Sequence, residues 1–138
     1  MKINRNLLII TVVIGILSVI WNSLTCGWLF RWVYMLEPIG VWKPFNEFPV
    51  FLAIIWAFIL AFILAWVYSL IYKSLPGKGL IKGLWFGLIV WLLKSLPLVV
   101  FLFMLTVIAK GVLFYWLIDF FLISLWQGVV IAAFYKEE

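Results

Sequence analysis

Four charged or amide side chains stand inside runs of apolar residues in this chain: Asn22, Lys94, Asp119 and Gln127. Lys94 falls in GLIVWLLKSLPLVV, residues 87–100, with Pro97 three positions later. An ammonium, a carboxylate and two amides among apolar neighbours allow three kinds of chemistry. They can form a structural polar cluster, relay protons or ions, or wait for a complementary charge on another membrane chain. The residues leave all three open. A lysine at mid-membrane costs roughly 2.5–3.5 kcal/mol on insertion scales, so it needs a partner or water.

Asp119 is the obvious anion for Lys94. Counting along two helices at 1.5 Å per residue places it about 8 Å nearer the outer face, with the two side chains leaning in opposite directions. Gln127 leans toward the lysine and suits its layer better. Asp119 shares its depth with Asn22 and, nearby, with Thr25 and Cys26, which predicts a second polar layer. Pro97 removes the hydrogen bond to the Leu93 carbonyl and predicts a bend one turn past Lys94.

Other chemistries find no footing. Histidine is absent and Cys26 is the one cysteine, which excludes an internal disulfide, multi-thiolate metal sites and imidazole ligation. There is no Ser, His and Asp set, no pair of intramembrane carboxylates and no glycine-rich phosphate loop. The expectation is therefore no metal, no cofactor and no enzymatic activity. Nucleic acid is an equally poor partner, because the basic residues are few and scattered at membrane boundaries rather than gathered on one face.

The elements that position these residues follow from composition. Of 138 residues, 69% are hydrophobic, 20% aromatic and 11% charged, far more apolar than a soluble domain. Mean hydropathy is +1.30. Four apolar runs, residues 7–30, 50–72, 83–109 and 112–135, each reach the roughly 20 residues needed to cross about 30 Å of hydrocarbon. Backbone groups in lipid must bond internally, so all four read as α-helices. The first run follows Lys2 and Arg5, but it is too long for a signal h-region and lacks a small-residue cleavage site, so it reads as a retained helix.

Orientation comes from the basic residues. Lys2, Arg5, Lys73, Lys78, Lys82 and Lys136 fall on one side, against Arg31, Lys43 and Lys110 on the other, which predicts both termini in the cytoplasm. The expected architecture is an all-α integral membrane protein of one domain, residues 1–138. It is an antiparallel four-helix transmembrane bundle, N-in and C-in, in the plasma (inner) membrane. Residues 73–82 form a short cytoplasmic loop in which Pro76 stops the second helix and glycines with lysines launch the third. Residues 31–49 interleave Trp32, Tyr34, Trp42, Phe45 and Phe48 with charges and prolines, which suits an interfacial cap on the outer surface.

Each helix also carries small residues for close packing. Ala53, Ala57, Ala61, Ala65 and Ser69 recur every four residues in the second helix; Gly79, Gly83 and Gly87 enter the third; Ser124, Gly128 and Ala132 line the fourth. The rows suit packing within the bundle or against another copy.

Several segments carry a resemblance: Trp21-Asn22 in the first helix, GVWKP at residues 40–44, SLPGKGLIKGLWFGL at residues 74–88, and the Gln127-Gly128 step. On these the chain resembles a group of small four-helix integral membrane proteins of bacteria that has no assigned activity. The resemblance implies a fold and no function. From the residues the preferred expectation is an accessory or interaction subunit packed in the bilayer against other membrane subunits or itself. The alternative is a small oligomeric channel or transporter with a path past Lys94, Gln127, Asp119 and Asn22.

Overall fold

A chain this apolar, forced to satisfy its own backbone in lipid, has one economical solution. The computed structural model describes residues 5–43 and 45–135, and every regular element among them is helical. Among the described residues, four helical spans are long and apolar enough to cross a membrane: Arg5–Leu29, Val50–Ser74, Leu80–Leu105 and Lys110–Phe134. The first is α1 (Arg5–Leu24) continued by a π-helical turn, Thr25–Leu29; the second is α2 (Val50–Ile71) with a final 3₁₀ turn. The third is α3 (Leu80–Val90), a π-helical turn at Trp91–Ser95, and α4 (Leu96–Leu105). The fourth is α5 (Lys110–Phe134). Lys2 and Lys136, used for orientation, lie outside the described residues.

The third span starts at Leu80 rather than residue 83 and stops at Leu105, short of the expected 109. At 1.5 Å per residue its 26 residues already cover about 39 Å, more than the hydrocarbon core. Thr106 then turns extended, at φ −125° and ψ 160°, while its hydroxyl donates back to the Leu102 carbonyl at 2.7 Å. Residues 106–109 carry the chain over to α5.

Two glycine-rich faces set the closest packing. Gly83 faces the Gly128 carbonyl and Ala132, and Gly87 faces the Ser124 carbonyl and Leu125. A Cβ on Gly83 would lie 2.8 Å from the Ala132 Cβ, and one on Gly87 would lie 2.8 Å from the Leu125 Cα. Backbone therefore meets backbone between α3 and α5, which share the most extensive contact in the molecule. The packing that in water would follow from hydrophobicity must here come from van der Waals fit. Gly79, in the same row, has a different role: its φ of +52° makes it the turn residue before α3, with nothing near its missing Cβ.

The alanine row of α2 is split. Ala61 and Ala65 are fully buried, Ala57 and Ser69 are half-buried, and Ala53 is exposed. The buried half packs with Leu7, Ile10 and Ile14 of α1, Phe86 of α3 and Ile131 of α5. All four spans thus meet in one core near the end that carries residues 75–79, here the turn end. Toward the opposite end, which carries residues 31–49 and is here the loop end, large apolar side chains such as Phe51, Phe101 and Met104 stand exposed. In a bilayer such surface meets lipid.

Candidate functional site

Three polar contacts tie the first span to the last. Gln127 Nε2 donates to Ser18 Oγ at 2.8 Å, Trp21 Nε1 donates to Asp119 Oδ1 at 2.9 Å, and Cys26 Sγ lies 3.5 Å from the Tyr115 hydroxyl. Ser18, Trp21 and Thr25 follow each other at spacings of three and four, so they occupy one face of the helix. Thr25 donates to the Trp21 carbonyl at 2.9 Å. Its hydroxyl lies 3.7 Å from Cys26 Sγ.

Asp119 is the centre of this seam. It is 3% exposed, and while Oδ1 takes the indole N–H, Oδ2 is buried with no hydrogen-bond partner. A buried acceptor left without a donor costs about 1–3 kcal/mol, so the Trp21 bond is the interaction that makes this position tolerable. Of the residues expected at this depth, Cys26 meets Tyr115 one turn from Asp119, Thr25 bonds the Trp21 carbonyl, and the carboxyl's hydrogen bond comes from Trp21.

Asn22 is not in the seam. It is exposed and its Nδ2 donates to the Ser18 carbonyl of its own helix at 2.8 Å. One residue along an α-helix is a rotation of about 100°, enough to turn Asn22 out and Trp21 in. Trp21 is the residue that reasoning on polar side chains overlooked. The available signal was the spacing of Ser18, Trp21 and Thr25, together with the indole donor, which seeks a partner when buried.

Above the seam the loop forms a roof. Trp116 Nε1 donates to the Tyr34 hydroxyl at 2.7 Å. Tyr34 and Trp42 meet edge-on at 5.3 Å, and Trp42 meets Trp116 at 5.8 Å. Phe30 stacks obliquely on Tyr115 at 5.0 Å. Burial first, and then the nearby Cys26 thiol, hold the Tyr34 hydroxyl well above its usual ionisation range. The roof is an aromatic box with few ionisable groups, seated on the end of α5.

Lys94 lies elsewhere. It sits in the π-helical turn Trp91–Ser95, is exposed, and makes no hydrogen bond or ion pair with another described residue. Depth does not separate it from Asp119. With Gly83 opposite Gly128 and Gly87 opposite Ser124, Lys94 falls level with about Leu117, only some 3 Å along the axis from Asp119. The difference is the face of the helix. Trp91, one turn earlier, points inward and donates from Nε1 to the Leu117 carbonyl at 3.2 Å, with its ring 5.2 Å from Phe121. The wider π turn that begins at Trp91 carries the lysine around to the outside while Ser95 stays buried.

Pro97 follows directly, in the first turn of α4. There its missing N–H is least disruptive, because the π turn has already broken the regular ladder. Gln127, expected beneath the lysine, is instead half-buried against Ser18. The four intramembrane polar residues therefore divide: Asp119 and Gln127 sit in the seam, and Asn22 and Lys94 face outward. Among the described residues no cluster of side chains could hold a metal ion. A groove of about 340 Å³ between α4 and α5, lined by Val99, Phe103, Lys110 and Leu113, includes none of the four.

No protein-family model matches the chain, and neither a curated protein nor a solved structure does.

Proposed function

We propose that this chain is a small accessory subunit of the membrane that docks, through the lipid-facing surface around Lys94, onto a different membrane protein carrying a carboxylate at matching depth. One observation carries this reading: an exposed, unpaired ammonium about 17 Å below the end of its helical span. Lipid cannot solvate it, and snorkelling alone leaves it short of the headgroups. Among the described residues, a second copy of the chain offers no complementary group at that depth. Of its described carboxylates, Glu37 and Glu47 belong to the loop, and Asp119 is buried against Trp21. The reading therefore assigns the matching anion to a different chain.

The reading includes an antiparallel bundle with both termini in the cytoplasm of a plasma (inner) membrane. The descending register of Gly83 with Gly128 and Gly87 with Ser124 supports the first part, and lysines at the turn end support the second.

Native mass spectrometry of the tagged protein, gently extracted from its own membranes, tests it. The expected result is a heteromeric complex that Lys94→Leu abolishes without lowering the melting temperature of the isolated protein. Survival of that complex in the variant would refute docking through Lys94. A second reading, a small oligomeric channel or transporter using Asp119, draws on its unpartnered Oδ2. Cation or proton flux in liposomes that is abolished by Asp119→Asn would favour it.

A further inference from the structure

At the turn end, where the second span gives way to the third, lies a groove of about 330 Å³ lined by Tyr68, Tyr72, Lys78, Gly79, Lys82 and Tyr135. Its composition differs from the rest of the surface, being mixed polar and apolar where the neighbouring helix faces are apolar. We propose that this groove is a phosphate-binding site, filled by the headgroup phosphate of an anionic phospholipid at the membrane boundary.

Three independent features point to an anion with ester oxygens. The first is charge. Two ammonium groups line the groove, and none of the described carboxylates, Glu37, Glu47 and Asp119, does. Lys82 is already oriented: its Nζ donates to the Tyr72 carbonyl at 2.7 Å and sits 5.5 Å from the centre of the Tyr72 ring. An ammonium has three donors, so two remain for a ligand.

The second feature is Tyr68. It is 3% exposed, packed edge-on against Phe86 at 5.2 Å and Tyr135 at 5.4 Å, yet it lines the groove and makes no hydrogen bond with another described residue. A phenol this enclosed ordinarily has an acceptor, and a phosphate oxygen in the groove supplies one.

The third feature is position. The groove opens beside the N-terminus of α3, where Gly79 at φ +52° brings backbone close without a side chain in the way. A helix N-terminus favours negative charge. The rings of Tyr72 and Tyr135, with Ala132, leave an apolar flank, and the helices below it offer apolar surface to acyl chains. Glycerophosphate esters present this combination of anion and apolar tail.

The experiment uses the whole protein in a neutral detergent. Thermal stabilisation is titrated with short-chain phosphatidylglycerol, with phosphatidylcholine of the same chain length, and with soluble glycerol phosphate. The expected result is stabilisation by phosphatidylglycerol well above that by phosphatidylcholine, weakened about tenfold in affinity by Lys78→Ala and by Tyr68→Phe, as loss of one charge-assisted hydrogen bond predicts. Lys43→Ala, at the loop end, should leave it unchanged. Lys78 is exposed and Tyr68→Phe keeps the packed ring, so both variants should fold. Equal response to the two lipids, or unchanged affinity in both variants, would overturn the site. Equal stabilisation by glycerol phosphate and by phosphatidylglycerol would confirm a phosphate site and assign it to a soluble ester in place of a lipid.

Discussion

Gly128→Ala should loosen the whole molecule through a single methyl group. Built on Gly128, that methyl would overlap the Gly83 carbonyl oxygen and lie 2.8 Å from the Gly87 nitrogen. Both atoms belong to the backbone of α3, so no rotamer change relieves the overlap and the two helices must move apart. Overpacking of this kind costs about 1–3 kcal/mol. Alanine returns up to about 1 kcal/mol of helix propensity relative to glycine, but separation also weakens the neighbouring contacts of Gly83 and Gly87. With a clash of backbone on backbone the overpacking term takes the upper end of its range, and the net expectation after the propensity gain is a loss of about 2 kcal/mol. Gly27→Ala is the matched control, since nothing lies within 4 Å of its missing Cβ. It should match the parent or gain up to about 1 kcal/mol from helix propensity. Gly15→Ala should fall between them, because the only obstruction is the ring of Phe58, which can swing aside. Thermal and urea unfolding in mild detergent, followed by circular dichroism, gives the order. If Gly128→Ala and Gly27→Ala unfold together, the backbone contact between α3 and α5 is not what holds the bundle.

The alanine row of α2 offers a second test: Ala61→Leu should destabilise by about 1–3 kcal/mol as an overfilled contact, whereas Ala53→Leu, on exposed surface, should leave stability unchanged. Equal effects of the two would contradict the split packing. Trp21→Phe leaves both oxygens of Asp119 without a donor and should cost about 1–3 kcal/mol. In a double-mutant cycle with Asp119→Leu much of that loss should disappear, and strictly additive effects would mean that the bond contributes nothing. Alkaline pH probes the roof. Tyr34 is held above its ordinary value of 10.0 by burial, so as pH rises past that value the unfolded chain loses the proton first. Binding fewer protons than the folded state, it gains, and stability falls from there upward. Tyr34→Phe should flatten that alkaline loss, while giving up about 1 kcal/mol at neutral pH with the Trp116 bond; an alkaline slope identical to the parent's would remove Tyr34 from the account.

The small-residue rows show how far the linear pattern reaches. The spacing of Gly83 and Gly87, and of Ser124, Gly128 and Ala132, marks faces able to pack closely. It does not say that these two rows face each other, nor that the longer alanine row of α2 is engaged over only half its length. The polar residues show the same limit. Placing Asp119 in one layer with Asn22, Thr25 and Cys26 uses depth alone, and counting residues fixes depth only loosely: it set Lys94 and Asp119 about 8 Å apart, where the glycine register puts them about 3 Å apart. Choosing Trp21 over Asn22 needs rotation about the helix axis, which counting fixes poorly when helix ends shift by a few residues.

Lys94 marks the boundary most sharply. Its depth and its need for a partner are readable from GLIVWLLKSLPLVV and from the cost of an ammonium in hydrocarbon. Its face is not, because a π turn at residues 91–95 inserts an extra residue into the helical ladder and turns the lysine outward, and no apolar periodicity announces such a turn. By itself the sequence determined four apolar helices of spanning length, since a chain this apolar in lipid must bond its own backbone. Which polar groups meet was decided only by tertiary structure. In lipid almost any helix face is equally soluble, so rotation and register follow from backbone fit at Gly83, Gly87 and Gly128, and from single hydrogen bonds such as that of Trp21 to Asp119.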